Sequence, residues 1–162
     1  LMDTRLDSIN DSVNTVQQSA CYTAAFTLSG PNGIALEITG SATKTVRLME
    51  FYLSKPSAET SLTITKRSTV SSGGVSTTPT KVPNLSSNVV ASATFKAFTS
   101  APTAGTPVGQ VFNDVVATSD RLYLKYADNN VQPLTLSGAS EAVTFEAGVA
   151  AFYRGHLTWM ES

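Results

Sequence analysis

The sequence predicts an all-β fold, an antiparallel β-sandwich or jelly roll, preceded by a short N-terminal α-helical coiled-coil stalk. Three observations carry this expectation. Ser and Thr together supply 42 of the 162 residues; Thr is β-branched and favours strands, while Ser suits turns and exposed faces. Short apolar runs are separated by turn signals every 8–14 residues, the spacing of a sandwich rather than of a helical bundle. Only the first segment follows another period, with apolar residues every three or four positions.

That segment comes first in the chain. Met2, Leu6, Ile9, Val13 and Val16 are spaced 4, 3, 4 and 3 apart with only polar residues between them, which is an a/d seam of period 3.5. A helix packed on its own core would show a wider apolar face. Asp7 and Asp11 repel mildly, Asn10 and Asn14 are weak helix formers, and two heptads are too short to be stable alone. The spacing therefore predicts the end of an oligomeric stalk, held by the domain that follows and by heptads upstream. An amphipathic helix lying on its own domain is the alternative. The expected organisation is a stalk over residues 1–19 and a β domain over 20–162. The opening Leu1-Met2 fits a piece of a longer polypeptide.

After Ser19 the period changes. Cys21–Leu28 reads as a strand running into Ser29-Gly30-Pro31-Asn32-Gly33, a strong turn signal. Ile34–Thr39 alternates apolar and polar, and Val46–Leu53 reads as a long, largely buried strand. Leu62–Arg67 alternates again. Ser71–Asn88, with Gly73-Gly74, Pro79 and Pro83, reads as one long loop with short extended pieces, and loops of that length are often functional. Further strands are expected at Ala93–Thr99, Val108–Val116, Arg121–Tyr126, Leu134–Leu136, Val143–Phe145 and His156–Met160. The Cys…Trp…Cys spacing of an immunoglobulin domain is missing, and no solenoid or propeller repeat is present.

Composition excludes several function classes. Charged residues make up 14% of the chain and the net charge is −1 with no basic run, which argues against nucleic-acid binding by phosphate neutralisation. No apolar stretch approaches the roughly 18 residues of a transmembrane helix, and no segment reads as a signal peptide. Cys21 is the only cysteine, so no intrachain disulfide or cysteine metal cluster is expected, and it reads as a small buried hydrophobe. His156 is the only histidine and reads as a strand residue without a nucleophile elbow near it. Asp128-Asn129-Asn130 reads as a turn rather than a calcium loop. Glu37, Glu50, Glu141, Glu146 and Glu161 are scattered, with no pairing for glycoside hydrolysis visible in the sequence. No cofactor, metal site or catalytic residue is expected.

Aromatic residues are the remaining candidates. Tyr123 and Tyr126 are three apart, so on one strand they would face opposite sides, one toward the core and one exposed. An exposed ring beside Ser, Thr and Asn suits a sugar face. Tyr22, Phe26, Phe51, Tyr52, Phe95, Phe98, Phe145, Phe152, Tyr153 and Trp159 read more simply as core or intersubunit packing.

Val46-Arg47-Leu48, then Lys66-Arg67-Ser68-Thr69, Gly73-Gly74-Val75-Ser76-Thr77, and Ala91-Ser92-Ala93 through Phe98-Thr99-Ser100-Ala101-Pro102-Thr103 form a pattern over about residues 46–106. It resembles a group of tailed-bacteriophage virion proteins in which a KRST…GG.ST segment precedes an A.A….YT..PT segment; Phe98 stands where that pattern often has tyrosine. The resemblance implies a structural protein on the virion surface: a head fibre, capsid decoration or tail-fibre tip, with no catalytic residues. It also implies a homotrimer, since a mixed seam of Met, Leu, Ile and Val does not fix oligomer number. The expected partners are copies of the chain, other virion proteins of the capsid or tail, and a host-surface glycan. The alternative is a carbohydrate- or receptor-binding trimeric jelly-roll module outside phage.

Overall fold

The structure is a computed structural model that describes residues 20–85, 89–126 and 134–162. The seam residues Met2, Leu6, Ile9, Val13 and Val16 lie outside the described residues, as does Asp128-Asn129-Asn130. The described residues contain twelve strands and no helix. They are β1 (Ala20–Gly30), β2 (Gly33–Thr39), β3 (Val46–Ser54), β4 (Thr60–Arg67), β5 (Val75–Thr77), β6 (Val82–Pro83), β7 (Thr94–Ser100), β8 (Pro107–Val116), β9 (Arg121–Lys125), β10 (Leu134–Leu136), β11 (Ala142–Ala147) and β12 (Ala151–Glu161).

All pairings are antiparallel, and the long strands pair from the outside of the chain inward. β1 pairs β12, β2 pairs β11, β3 pairs β9 and β10, and β4 pairs β8. Sheet one has the order β10-β3-β12-β1-β6, with β9 also on β3, and sheet two the order β5-β7-β2-β11-β4-β8. β9 and β10 share one edge of β3: β9 lies opposite Glu50–Ser54 and β10 opposite Val46–Leu48. The chain between β4 and β8 supplies β5, β6 and β7 as additions to both sheets. The predicted loop over 71–88 thus includes two short strands, β5 and β6.

The core lies between the sheets. β1 follows period two, with Tyr22, Ala24, Phe26 and Leu28 buried and Ala25, Thr27 and Ser29 exposed, as a strand with one wet face requires. Ring contacts tie the layers together: Phe51 of β3 meets Phe145 of β11 at 4.4 Å between centroids, and Phe95 of β7 meets Trp159 of β12 at 6.2 Å. In β3, Leu48 and Phe51 are both buried although three residues apart. A bulge against β12, where Leu48 faces Trp159 and Glu50 faces Thr158, absorbs Met49 as the extra residue. The same bulge turns Glu50 and Tyr52 outward. At Gly155 a Cβ would collide with the Tyr52 carbonyl oxygen and lie 2.9 Å from Phe26 Cζ, so only glycine lets β12 and β3 approach there.

The outer faces of the two sheets differ. The central strands of sheet two are covered in part by their own chain, while its edge strands β5 and β8 are exposed. Glu37 is fully buried and its Oε2 accepts from the Ser71 backbone N–H at 3.1 Å and from Ser71 Oγ at 2.5 Å. Arg67, also buried, donates from Nε to Thr144 Oγ1 at 2.8 Å and from Nη1 to the Gly105 carbonyl at 2.7 Å, and pairs with Glu146. The alternation of Ile34–Thr39 predicts a strand with one polar exposed face; instead β2 is buried on both faces from Ile34 to Thr39, because residues 68–74 and 101–106 close over it. The approach to β7 is tied down as well. Glu161 Oε1 accepts from the backbone N–H of Ser92 (2.7 Å) and of Ala93 (2.8 Å) and from Ser92 Oγ (2.7 Å). Cys21 is half-exposed rather than buried, because its position in the β1 alternation falls on the outer side of sheet one; partial burial still raises its thiol pKa.

Candidate functional site

Among the described residues, no chain segment comparable to the one over sheet two covers the outer face of sheet one, and this face carries the most chemically varied surface of those residues. Side chains at alternate positions share a face, and the registers set them in rows. In the central row, Ala25 of β1 lies opposite His156 of β12, His156 opposite Tyr52 of β3, and Tyr52 opposite Tyr123 of β9. The His156 ring stacks on Tyr52 with centroids 5.3 Å apart at 24°, and Tyr52 meets Tyr123 edge to face at 6.2 Å. Tyr123 is 47% exposed, so the platform reaches solvent.

One row to one side holds Thr23, Thr158, Glu50 and Lys125. Glu50 is a shared acceptor: Tyr123 Oη donates to its Oε2 at 2.7 Å, and its Oε1 lies 3.0 Å from His156 Nε2. Lys125 Nζ stands over the Tyr123 ring at 5.4 Å. The Tyr123 hydrogen bond is the main cause that holds the Glu50 carboxyl below its ordinary value; burial, next in size, opposes it, and the His156 contact and charge and the Lys125 charge add to the lowering. One row to the other side holds Thr27, Arg154, Ser54 and Arg121. The Arg154 guanidinium lies 5.3 Å from the centre of the Phe152 ring, a cation–π contact. Tyr126, just past β9, packs against the core, and burial drives its hydroxyl pKa well up. The two tyrosines thus divide between face and core as their spacing predicts.

The face is basic in a chain whose net charge is −1. Arg47, Arg121, Lys125 and Arg154 lie at its outward register positions, with Glu50 as the matching acid. Among the described residues the ion pairs are Arg67–Glu146 and His156–Glu50, so the four cations of this face belong to neither. Such a surface can stack a ring face, donate hydrogen bonds and attract an anion.

The five glutamates considered in the sequence do not converge. Glu37 holds Ser71, Glu50 holds Tyr123 and His156, Glu141 accepts from the Ser137 N–H at 2.6 Å, Glu146 pairs with Arg67, and Glu161 holds Ser92 and Ala93. No group of three or more His, Cys, Asp or Glu side chains among the described residues is arranged to hold a metal. Arg121 and Arg154 are not prominent in the sequence. Alternation groups 121 with 123 and 154 with 156, but only strand neighbourhood brings the two arginines into one row.

Comparison with known protein families, with curated proteins and with solved structures gives no match for this chain.

Proposed function

We propose that this protein is a structural protein on the surface of a tailed-phage particle, a homotrimeric fibre or decoration protein in which a coiled-coil stalk carries a jelly-roll head that binds a host-surface glycan. The observation that carries the reading is the nested pairing of the long strands, β1 with β12, β2 with β11, β3 with β9 and β10, β4 with β8, wound alternately between two sheets. That order supports a jelly roll, an architecture used by viral capsid and lectin domains. The head fibre, capsid decoration and tail-fibre tip are the forms considered, and the virion surface is the location.

The heptad seam Met2, Leu6, Ile9, Val13 and Val16 would run along the trimer axis and deliver the chain to Ala20, the first residue of β1. Beside that entry, β6 pairs with β1 and the Asn84 N–H donates to the Cys21 carbonyl at 2.9 Å. Val82 and Leu85 on this segment, with Val89 and Val90 farther along, are exposed, and supply apolar surface for neighbouring copies at the root of the stalk. The outer face of sheet one is then presented three times, and simultaneous weak contacts raise apparent affinity without new interactions. No turnover and no cofactor belong to this reading.

Light scattering of the full chain and of a form lacking residues 1–19 tests it. The full chain is expected near 51 kDa, three times its 17.0 kDa. A full-length monomer would remove the stalk and the trimer together. A second reading, a carbohydrate- or receptor-binding trimeric jelly roll outside phage, is favoured by the aromatic and basic face alone, which needs no particle. Binding of purified protein to particles stripped of it separates the two.

A further inference from the structure

We propose that the outer face of sheet one selects anionic sugars, binding a pyranose that bears a carboxylate, of the uronic or sialic type. The carboxylate would lie over Ser54 between Arg121 and Arg154, and the ring of the adjoining sugar over Tyr52 and Tyr123. This inference rests on the glycan-binding reading above and narrows it to a ligand class.

Register supplies the geometry. Ser54 is opposite Arg154 on one side and Arg121 on the other, so the two arginines stand two strand spacings apart, about 9–10 Å between Cα atoms. The short Ser54 side chain leaves a low position between the two arginines in the register, with its hydroxyl at the floor. Arg is suited to this task because its planar fork matches a carboxylate. The aromatic row lies two residues along each strand, about 7 Å away, farther than a carboxylate stands from the ring that carries it and within reach of the adjoining sugar ring of an oligosaccharide. Glu50, the acid of this face, sits on the far side of the aromatic row and is engaged by Tyr123 and His156. It therefore does not compete for the arginines.

Charge decides among occupants. Arg47, Arg121, Lys125 and Arg154 against one Glu50 would oppose one another if a second copy docked this face on itself. An anion is complementary to it. A polyanion without a ring to stack would use the arginines and leave the tyrosines idle, whereas a carboxylated sugar uses both rows.

The test is NMR titration of the full-length protein with 3′-sialyllactose and tetragalacturonate, with lactose as the neutral counterpart and inorganic polyphosphate as a charge-only polyanion. The expected result is saturable shifts at the amides of Ser54, Arg121, Arg154 and Tyr123 with the acidic sugars, and lactose at least tenfold weaker. Arg121→Gln with Arg154→Gln, and separately Ser54→Glu, should each weaken the acidic sugars by at least tenfold while leaving the spectrum of the core unchanged. Equal binding of lactose overturns the inference and leaves the glycan reading standing. No shift with any sugar, in a protein of trimer mass, overturns the inference and the glycan reading but not the structural role. Binding of the polyphosphate at the same residues, as tight as the sugars and indifferent to Tyr123→Ala, shows charge capture alone and overturns it as well.

Discussion

Replacing Glu161 by alanine should detach the segment before β7 from the end of sheet one. Glu161 is buried, and its Oε1 accepts from Ser92 N, Ser92 Oγ and Ala93 N within 2.8 Å. Ser92 is exposed, so its two donors can turn to water when the carboxylate is removed; the Ala93 N–H is buried and cannot. A hydrogen bond to a charged partner is worth about 1.5–3 kcal/mol net, and a stranded buried donor adds its desolvation cost. With some loss from Ser92, the expected destabilisation is about 2–4 kcal/mol, or a melting-temperature drop of about 4–16 °C for a domain of this size. Tyr22 Oη still donates to the Val89 carbonyl at 2.7 Å, so the segment should open locally rather than unfold the sandwich. Native-state hydrogen exchange reads this directly. The Ala93 amide should exchange at least about 30-fold faster in Glu161→Ala, the factor that roughly 2 kcal/mol represents. Amides of Ile38 and Phe145, in the middle of sheet two, should change only through global stability. Glu161→Gln, which keeps one acceptor oxygen, should show a smaller effect. If Ala93 exchange and thermal stability are both unchanged in Glu161→Ala, the carboxylate does not hold this segment and the reasoning fails.

Two further outcomes follow from the geometry. Gly155→Ala should destabilise by about 1–3 kcal/mol in urea unfolding, because its Cβ meets the Tyr52 backbone rather than a side chain that can swing away. Gly109→Ala in β8, where nothing lies within 4 Å, should be neutral or stabilising by up to about 1 kcal/mol; equal effects at the two sites would contradict the close approach. The lowered pKa of Glu50 means that its ionised form is favoured in the folded state. Its contribution is therefore fully present above the ordinary value of 4.5 and lost as pH falls through the lower folded value. The stability gap between wild type and Glu50→Gln should be about 0.2–1 kcal/mol at pH 7 and shrink progressively as pH falls below 4.5, and a gap that stays constant as the carboxyl is protonated would show that Glu50 is not held by Tyr123 and His156.

Much of the β architecture can be read along the chain because strand formation is local. Thr-rich alternation, the apolar runs and the Gly/Pro/Asn turn signals mark the long strands within a few residues of where they lie, and the split of Tyr123 from Tyr126 follows from period two. What one dimension conceals is adjacency. Glu37 and Arg67 look like ordinary charges in alternating strands, yet a segment from elsewhere in the chain buries both. Leu48 and Phe51 break the period, and only the bulge opposite Trp159 shows why both face inward and Glu50 outward. The candidate site depends most on this. Tyr52, Tyr123 and His156 come from three strands, and Arg121 and Arg154 flank a third residue of their own row, Ser54. Local sequence sets which side of a strand each residue faces. Which strands lie side by side is decided by the nested pairing of chain segments up to about 140 residues apart, a choice made by burying one shared core and not by any local preference.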